Sequence, residues 1–339
     1  MLAPRQNIRS WRPIVDAIDQ LGSPLVTSRA LRSVGLSRRI LEGPPIFVPS
    51  ALQAAFGEYV ARKIGEPHLG PLVIGRYENM GIYAQYVLDA PRLDAAFGRG
   101  VRALPFLQSG TTVGTIDEGE IVVLQYGSGI QSVVGARHVD EATIVLLIDL
   151  VRNFVGPEWN PEWVELSQPA HSGAAPLEDA FRAPIRYGSR LPGIAIRKCT
   201  LLTRNPRPVE ARESILFSDL RSMIKSRPPS SAAELVRDAL VVLSGYGDFS
   251  EEAVAERLGV GKRTLQRLIR VEGYTFREIL ASFRADRAKA LLRETDLSVQ
   301  EIAFRLGYIE VNSFRRSFRN WTSMTPTEFT ARRSAKQRR

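Results

Sequence analysis

The sequence predicts a mixed α/β N-terminal domain and an all-α C-terminal domain, in which a long helix joins two helix-turn-helix units. Strand-like and helix-like hydrophobic periods alternate up to residue 203, whereas the helical period alone continues after residue 228. Residues 250–270 and 298–319 repeat one pattern: a capping Ser, a short amphipathic helix, a Gly turn and an Arg-rich second helix. Proline-rich stretches at 204–208 and 226–231 separate the two domains.

These changes of pattern divide the chain into four predicted segments. They are a mixed α/β domain at residues 1–203, a connecting segment at 204–230, the tandem helix-turn-helix domain at 231–333 and a basic tail at 334–339. The connecting segment is predicted to contain an amphipathic helix at residues 209–225, with one face formed by Ile215, Leu216, Leu220 and Ile224. At 339 residues, the chain is long enough for each domain to have its own core.

Helices and strands are both predicted within the first domain. In chain order they are a helix at 51–64, strands at 111–116 and 121–126, a helix at 139–155, and strands at 163–166 and 194–202. Pro49 and Ser50 mark the start of the first helix. Residues 117–119, Asp-Glu-Gly, predict a hairpin between the first two strands. Because Cys199 lies within the last predicted strand, we expect its thiol to be buried and unreactive.

After residue 228 every predicted element is a helix. The first covers residues 232–243 and precedes the first repeat unit. Thr275 then caps a helix at 276–294, whose length of about 28 Å approaches the ~34 Å turn of B-DNA. Its apolar face is formed by Phe276, Ile279, Leu280 and Phe283. A connector of this length could present two helices to successive major grooves, and a short terminal helix follows Pro326.

The composition favours a polyanionic partner and excludes several other classes of protein. The formal net charge is +10, and residues 228–339 carry 20 Lys/Arg against 14 Asp/Glu. One cysteine excludes an internal disulfide, and three scattered histidines have no metal-ligand spacing. The N-terminus lacks the pattern of a signal peptide, and the longest apolar run, 142–148, is too short to span a bilayer. We therefore expect a cytoplasmic protein that uses no metal, cofactor or membrane.

The second helix of each unit presents residue types that read DNA. Leu265 and Ile269 in the first unit, and Phe314 and Phe318 in the second, are four residues apart and should face the core. The polar side chains between them then point outward, and those nearest the helix start should reach base edges. The predicted base-reading residues are Arg263, Gln266, Arg267, Asn312, Arg315 and Arg316. The predicted phosphate contacts are Lys262, Arg270 and Arg319.

A solvated helix face is the alternative explanation for these arginines. For a single helix of this kind the two explanations would be evenly balanced. The same helix occurs twice, however, each time behind a capped partner helix and a Gly turn. The repetition therefore favours double-stranded DNA as the partner.

Residues 298–329 contain a set of motifs with a specific spacing. The motifs are Ile302-Ala303, Leu306-Gly307-Tyr308, Phe314, Phe318, Trp321, Met324, Thr325-Pro326 and Glu328-Phe329. Matching motifs of the first unit are Leu258-Gly259, Thr264-Leu265-Gln266-Arg267 and Gly273. Over residues 232–333 the chain thereby resembles the DNA-binding domain of AraC/XylS-type transcriptional regulators. It departs from the family pattern at Gly261, Val311 and Ser323, where a capping Ser, a small polar residue or Pro, and Gly are common.

The N-terminal domain carries a further set of residues that resembles the arabinose-binding-type effector domain of a subset of that family. The set consists of Ile46-Phe-Val-Pro49, Trp163-Val-Glu-Leu166, Pro169, Leu177, Phe181 and Ile185. The resemblance implies that this domain senses a small-molecule effector, forms a homodimer, or does both. It also implies RNA polymerase as a protein partner. It identifies neither the effector nor any effector-binding residue.

The resulting hypothesis is a sequence-specific transcriptional regulator, an effector-responsive activator that binds promoter DNA at two successive major-groove half-sites. Two alternatives stay open: an architectural DNA-binding protein without an effector, and an enzyme that its C-terminal domain tethers to DNA. An enzyme would need a nucleophile–base pair or a metal cluster in residues 1–203, and we recognise neither in the sequence. We therefore predict no catalytic residue.

Overall fold

Two units make up the chain, Met1–Pro228 and Pro229–Arg339. A computed structural model describes residues 3–42, 46–169, 175–207, 215–224, 229, 231–244, 247–295 and 297–330. In these ranges no helix is both long and apolar enough to cross a membrane. The same ranges contain no group of three His, Cys, Asp or Glu side chains placed to hold a metal ion.

The first unit is built from helices and strands, as the sequence predicts. Its helices are α1 (Arg12–Leu21), α2 (Pro24–Ser33), α3 (Ser50–Ile64), α4 (Leu69–Val73), α5 (Ile82–Leu88), α6 (Leu93–Ala103), α7 (Ala136–Val155), α8 (Ala175–Phe181), α9 (Lys198–Leu201) and α10 (Phe217–Ile224). Its strands are β1 (Arg5–Asn7), β2 (Phe47–Pro49), β3 (Gln108–Ser109), β4 (Thr112–Glu118), β5 (Ile121–Gly127), β6 (Val164–Leu166), β7 (Ile185–Tyr187) and β8 (Gly193–Arg197). The predicted helices at 51–64 and 139–155 are confirmed as α3 and α7.

The strands form two sheets within the described residues. One is three-stranded in the order β2-β1-β3, and the other is five-stranded in the order β4-β5-β8-β6-β7. β4 and β5 form the predicted hairpin, and Asp117 Oδ1 accepts a hydrogen bond from the Gly119 amide at 3.1 Å in its turn. Strands β6 and β7 pair in parallel, whereas β8 is antiparallel to both of its neighbours.

Helix α7 supplies the centre of the core of the first unit. Ile144, Ile148 and Val151 recur at helical spacing along one face and are at most 2% exposed. They belong to one apolar cluster with Val164 of β6 and Ile194 of β8. β8 reads as a continuous apolar run because both of its faces are buried: Ile194 and Ile196 lie in this cluster, and Ala195 lies in a second cluster with Val123 and Trp163.

The predicted strand at 194–202 is wrong in its second half. β8 ends at Arg197, whose partner in β5 is Ile121, the first residue of that strand. The Lys198 amide still donates to the Glu120 carbonyl at 2.9 Å, and the chain then turns into α9. Cys199 therefore lies in a short helix and is exposed, so the expected burial of its thiol is also wrong.

The connecting segment contains a shorter helix than the sequence predicts. α10 begins at Phe217, after Leu216, whose amide donates to Asp219 Oδ2 at 3.1 Å. Leu216 is 59% exposed and does not share the apolar face, whereas Leu220 is fully buried. Residues 209–214 and 225 of the predicted helix lie outside the described residues.

All elements described in the second unit are helices. They are α11 (Ala232–Leu243), α12 (Glu251–Arg257), α13 (Lys262–Val271), α14 (Phe276–Glu294), α15 (Val299–Arg305) and α16 (Val311–Thr322). Residues 326–330 are also helical, as predicted after Pro326, whereas the basic tail lies outside the described residues.

Helix α14 contributes to two separate apolar clusters of the second unit. Its first half places Ile279 and Phe283 in one cluster with residues of α11, α12 and α13. Its second half places Ala288 and Leu292 in another cluster with residues of α15 and α16. One continuous helix thus supports both of the shorter helix pairs.

Candidate nucleic-acid interface

Helices α12 and α13 form the first of two similar helix pairs. Ser250 caps α12, because its side chain accepts a hydrogen bond from the Ala253 amide at 3.2 Å. The chain leaves α12 through Gly259 at φ +68°, a left-handed conformation that favours glycine. Gly261 stands at the start of α13 and provides no side-chain cap, as its identity predicts.

Helices α15 and α16 repeat this geometry. Ser298 caps α15 together with Glu301, whose carboxylate accepts a hydrogen bond from the Ser298 amide at 2.8 Å. The chain leaves α15 through Gly307 at φ +74°. Helix α16 ends at Thr322, and the next residue, Ser323, adopts φ +59° and so occupies a left-handed position where glycine is favoured.

The predicted inward faces of α13 and α16 are confirmed. Leu265 and Ile269 are each 1% exposed, and Phe314 and Phe318 are fully buried. The two phenylalanine rings lie 5.8 Å apart between centroids. Because these residues fix which side of each helix faces the core, they also fix which side faces solvent.

Most of the predicted DNA-contacting residues lie on the solvent side of α13 or α16. Those exposed are Lys262, Arg263, Arg267, Arg270, Asn312, Arg315, Arg316 and Arg319. Gln266 is half-buried. The solvent side of α13 thus carries four exposed cationic side chains. That of α16 carries three exposed arginines and the amide of Asn312. Whether they contact bases or phosphates stays a prediction.

Two of the predicted contacts on α13 are already held by carboxylates of α12. Lys262 forms a hydrogen-bonded ion pair with Glu252 and lies 3.7 Å from Glu251. Gln266 Nε2 donates to Glu251 Oε2 at 3.0 Å. The hydrogen bond that Lys262 donates to Glu252 raises the pKa of Lys262, so this side chain is positively charged at neutral pH. A DNA phosphate at this position would compete with Glu252.

Arg315 and Arg316 of α16 have neutral partners instead. Arg315 Nη1 donates to Asn312 Oδ1 at 3.3 Å, and Arg316 Nη2 donates to Ser313 Oγ at 3.3 Å. Each bond links residues three apart and orients a guanidinium without neutralising it. The charge of α16 is therefore available to an anion.

Arg284 of α14 connects the two helix pairs. Its guanidinium carbon lies 5.1 Å from the ring centroid of Phe249, just before α12, and 4.7 Å from that of Tyr308, just after α15. The two pairs also touch directly, because a Cβ added to Gly307 would lie 2.5 Å from Cδ2 of Phe249. These contacts fix the two pairs relative to each other.

Sequence reasoning did not select Arg284. The sequence does mark this residue, because Arg284 follows Phe276 and Leu280 at a spacing of four residues and so lies on the same helix face. An arginine on an otherwise apolar helix face requires a partner for its charge or for its planar group. The aromatic partners could not be inferred, because they lie 35 residues before and 24 residues after it.

Comparison with known proteins covers both units. The model of the arabinose-binding domain of AraC transcription regulators matches residues 25–205, more than half of the chain. The model of a helix-turn-helix domain matches residues 254–332. The chain belongs to the AraC/XylS family of transcriptional regulators. The family assignment anticipated from the motifs of both domains is confirmed.

Individual relatives and solved structures are similar to parts or most of the chain. An uncharacterized HTH-type transcriptional regulator of Mycobacterium tuberculosis is 39% identical over 99 residues, 29% of this chain and 28% of that protein. The HTH-type transcriptional activator RhaS of Escherichia coli is 31% identical over 128 residues, 35% of this chain and 46% of that protein. The chain thus spans about a quarter to a half of the length of these relatives. The solved structure of the transcriptional regulator CdpR from Pseudomonas aeruginosa covers 95% of this chain and 98% of its own, at 20% identity and a TM-score of 0.38.

Proposed function

We propose that the protein is a sequence-specific transcriptional regulator in which α12–α13 and α15–α16 are two helix-turn-helix units joined by α14. The observation that carries the proposal is the matched geometry of the two pairs. Each has a Ser cap, a left-handed Gly turn and a second helix with a cationic solvent face. In a helix-turn-helix the second helix lies in the major groove with its first residues at the base edges. The reading helices are therefore α13 and α16.

Each reading helix combines side chains for bases with side chains for phosphates. Arginine donates two hydrogen bonds to guanine O6 and N7, and Gln or Asn pairs in a bidentate manner with adenine. The proposed base-reading residues are Arg263, Gln266, Arg267, Asn312, Arg315 and Arg316. The proposed phosphate contacts are Lys262, Arg270 and Arg319, which position the protein without reading sequence.

The arrangement of the second unit supports two successive half-sites. With 19 residues, α14 is about 28 Å long, close to the ~34 Å that separates major grooves on one side of B-DNA. Arg284 binds an aromatic ring of each pair, so the two reading helices bind as one body rather than independently. We therefore expect an operator with two half-sites at a fixed spacing.

The two reading helices are expected to contribute unequally to affinity. On α13, DNA must displace Glu252 from Lys262 and Glu251 from Gln266 before these side chains can bind it. On α16, the arginines give up only bonds to Asn312 and Ser313. We therefore assign the larger share of the binding free energy to α16.

The first unit is proposed to sense a small-molecule effector and to form the homodimer. The match to the arabinose-binding domain supports this role, and the description of RhaS as an activator supports activation. An activator of this kind would contact RNA polymerase at the promoter. An effector acts by binding more tightly to one of two arrangements of the protein.

Selection of genomic fragments tests the proposal. Full-length protein is mixed with sheared genomic DNA of its source organism at about 150 mM salt, and the bound fragments are sequenced. The comparison uses Arg316→Ala on α16 and, as a control for the loss of one positive charge, Arg277→Ala on the exposed face of α14.

The expected result is enrichment of a few sites upstream of genes, each with a two-part direct-repeat motif. Arg316→Ala should lose one position of the motif, whereas Arg277→Ala should retain the whole motif. Even recovery of all fragments, sensitive to salt and equal in the two variants, would contradict sequence-specific reading and favour an architectural protein.

A further inference from the structure

A cavity of about 960 Å³ opens in the first unit, where α1, α4 and α7 contribute to its wall. Small-molecule sites in proteins have volumes of about 300–1,000 Å³, so the cavity is large enough for an effector. The proposed DNA contacts make no use of it, because all of them lie in the second unit. Its lining residues indicate what kind of molecule it would hold.

The wall of the cavity is mainly apolar. Helix α7 contributes Val139, Leu146 and Leu147, and two of the polar groups beside them have partners within the protein. Thr143 donates its hydroxyl to the Val139 carbonyl at 2.8 Å, and Tyr83 donates its hydroxyl to the Gly100 carbonyl at 3.2 Å. Along this part of the wall a hydrocarbon body would therefore be preferred over a sugar, because these two hydroxyls already donate to groups within the protein.

The charged groups of the lining carry a net positive charge, and they lie beside the neutral amides of Gln6, Asn7, Gln20, Gln53, Asn79 and Gln108. The described lining residues include three arginines, Arg9, Arg12 and Arg76, and one carboxylate, that of Asp16. Arg12 and Arg76 are exposed, and neither has an ion-pair partner among the described residues. Unpaired guanidinium groups beside an apolar wall favour an anionic ligand, since a carboxylate accepts two hydrogen bonds from one arginine.

His138 also lines the cavity but adds no charge at neutral pH. Burial and the positive charge of Arg137 lower the pKa of His138 to about 4, and its Nε2 lies 3.3 Å from Glu58 Oε2. Glu58 is in turn paired with Arg62 and Arg137 and does not line the cavity. The charge that a ligand meets is therefore that of the arginines and Asp16.

Helix α10 completes the wall. Its last residue, Ile224, lines the cavity. The helix is attached to the first unit through Phe217, whose ring lies 4.0 Å from the guanidinium carbon of Arg102 and 5.6 Å from the ring of Phe106. The first unit ends four residues after Ile224. A molecule in the cavity would thus contact the segment that leads to the second unit.

We infer that this cavity is the effector site, that the effector is an amphipathic small molecule with an apolar body and one carboxylate, and that its body contacts Ile224. The carboxylate binds Arg12 and Arg76, and the apolar body lies along α7. Contact with Ile224 stabilises α10 when the ligand is bound. That the ligand is an effector rests on the proposed regulatory function, whereas binding itself does not.

Two series of probes that differ only in the end group test the ligand class. They are octanoate, 1-octanol and octylammonium, and 4-phenylbutanoate, 4-phenylbutanol and 4-phenylbutylammonium. Binding to the full-length protein is measured by titration calorimetry. At least one carboxylate should bind roughly tenfold more tightly than its alcohol, and its ammonium analogue should not bind. Arg12→Gln combined with Arg76→Gln should remove this preference.

Matched variants separate the site from general effects of charge. Arg29→Gln removes an exposed arginine of α2 that does not line the cavity, and it should leave carboxylate affinity unchanged. Ile224→Ala should weaken binding severalfold. In hydrogen exchange, the carboxylate should slow exchange of the amides of residues 217–224 in the original protein but less so in Ile224→Ala.

Three results would overturn the inference. They are the absence of binding by both carboxylates, equal affinity for the alcohol, and unchanged exchange in α10 on binding. Each is distinct from failure of the proposed function, which is judged on DNA selection without any probe. If the protein binds the carboxylate but selects no DNA sites, the inferred ligand site stands and the proposed regulatory function is refuted.

Discussion

Gly307→Ala probes the contact that holds the two helix pairs of the second unit in one arrangement. Gly307 has φ +74°, and an added Cβ would lie 2.5 Å from Cδ2 and 2.9 Å from Cε2 of Phe249. Gly259 is the matched control, because it occupies the equivalent turn of the first pair at φ +68° with nothing within 4 Å of an added Cβ. Alanine at either position must adopt a strained left-handed backbone, but only the methyl group of alanine at 307 would clash with Phe249.

The difference between the two variants isolates the contact. A left-handed non-glycine residue costs about 1–2 kcal/mol, so Gly259→Ala should lower the free energy of unfolding of the second unit by that amount. At Gly307 the methyl group must displace the Phe249 ring, and overpacking of this kind costs about 1–3 kcal/mol more. Gly307→Ala should therefore cost about 2–5 kcal/mol in total.

Urea unfolding of the full-length protein, followed by pulsed hydrogen exchange, measures the two variants. Peptides from residues 251–322 report the second unit separately from the first. Phe249→Leu, which shortens the side chain, should remove most of the extra cost of Gly307→Ala. Equal destabilisation by the two glycine substitutions, or an extra cost that Phe249→Leu leaves intact, would refute the packing of the two pairs against each other.

Other predictions concern DNA binding and stability. Arg316→Ala should weaken binding to the preferred site by about 1–3 kcal/mol and relax preference at one base pair in a binding-site selection. Glu252→Gln should free Lys262 and tighten DNA binding severalfold, with a steeper salt dependence in fluorescence anisotropy. Ser323→Gly should raise the free energy of unfolding by about 0.5–1 kcal/mol, because Ser323 has a left-handed backbone. Burial raises the pKa of Asp140 from its ordinary value of 3.8 to about 7. Between pH 3.8 and about pH 7, Asp140 is therefore protonated in the folded protein and ionised in the unfolded chain. Its contribution to stability is therefore lost as pH rises through that window, and Asp140→Asn should gain on the order of 4 kcal/mol relative to the original protein between pH 4 and pH 8 in urea unfolding.

Each of these predictions has a result that would contradict it. A uniform loss of affinity for all DNA sequences would make Arg316 a phosphate contact. Unchanged affinity of Glu252→Gln would mean that Lys262 does not reach DNA. A stability difference between Asp140→Asn and the original protein that is independent of pH would show that Asp140 titrates alike in the folded and unfolded states.

Elements with a clear local period could be predicted from the sequence. Helices α7 and α14 and the β4–β5 hairpin lie close to their predicted positions, because neighbouring residues along the chain decide these structures. The sheet of β1, β2 and β3 could not be predicted. Arg5 pairs with Pro49 on one side and with Ser109 on the other, and strands of two or three residues carry no detectable period.

The sequence by itself determined the family, the two helices α13 and α16 that we propose to read DNA, and the residues on their solvent faces. These follow from helical spacing, in which Phe314 and Phe318 turn one side of α16 inward and so turn Arg315 and Arg316 outward. Only the tertiary structure decided that Cys199 is exposed, that Glu252 holds Lys262, and that α10 closes a cavity. The physical reason is one of range. Periodicity records how a helix meets its nearest neighbours, whereas contacts between distant residues depend on which of many possible packings has the lowest free energy.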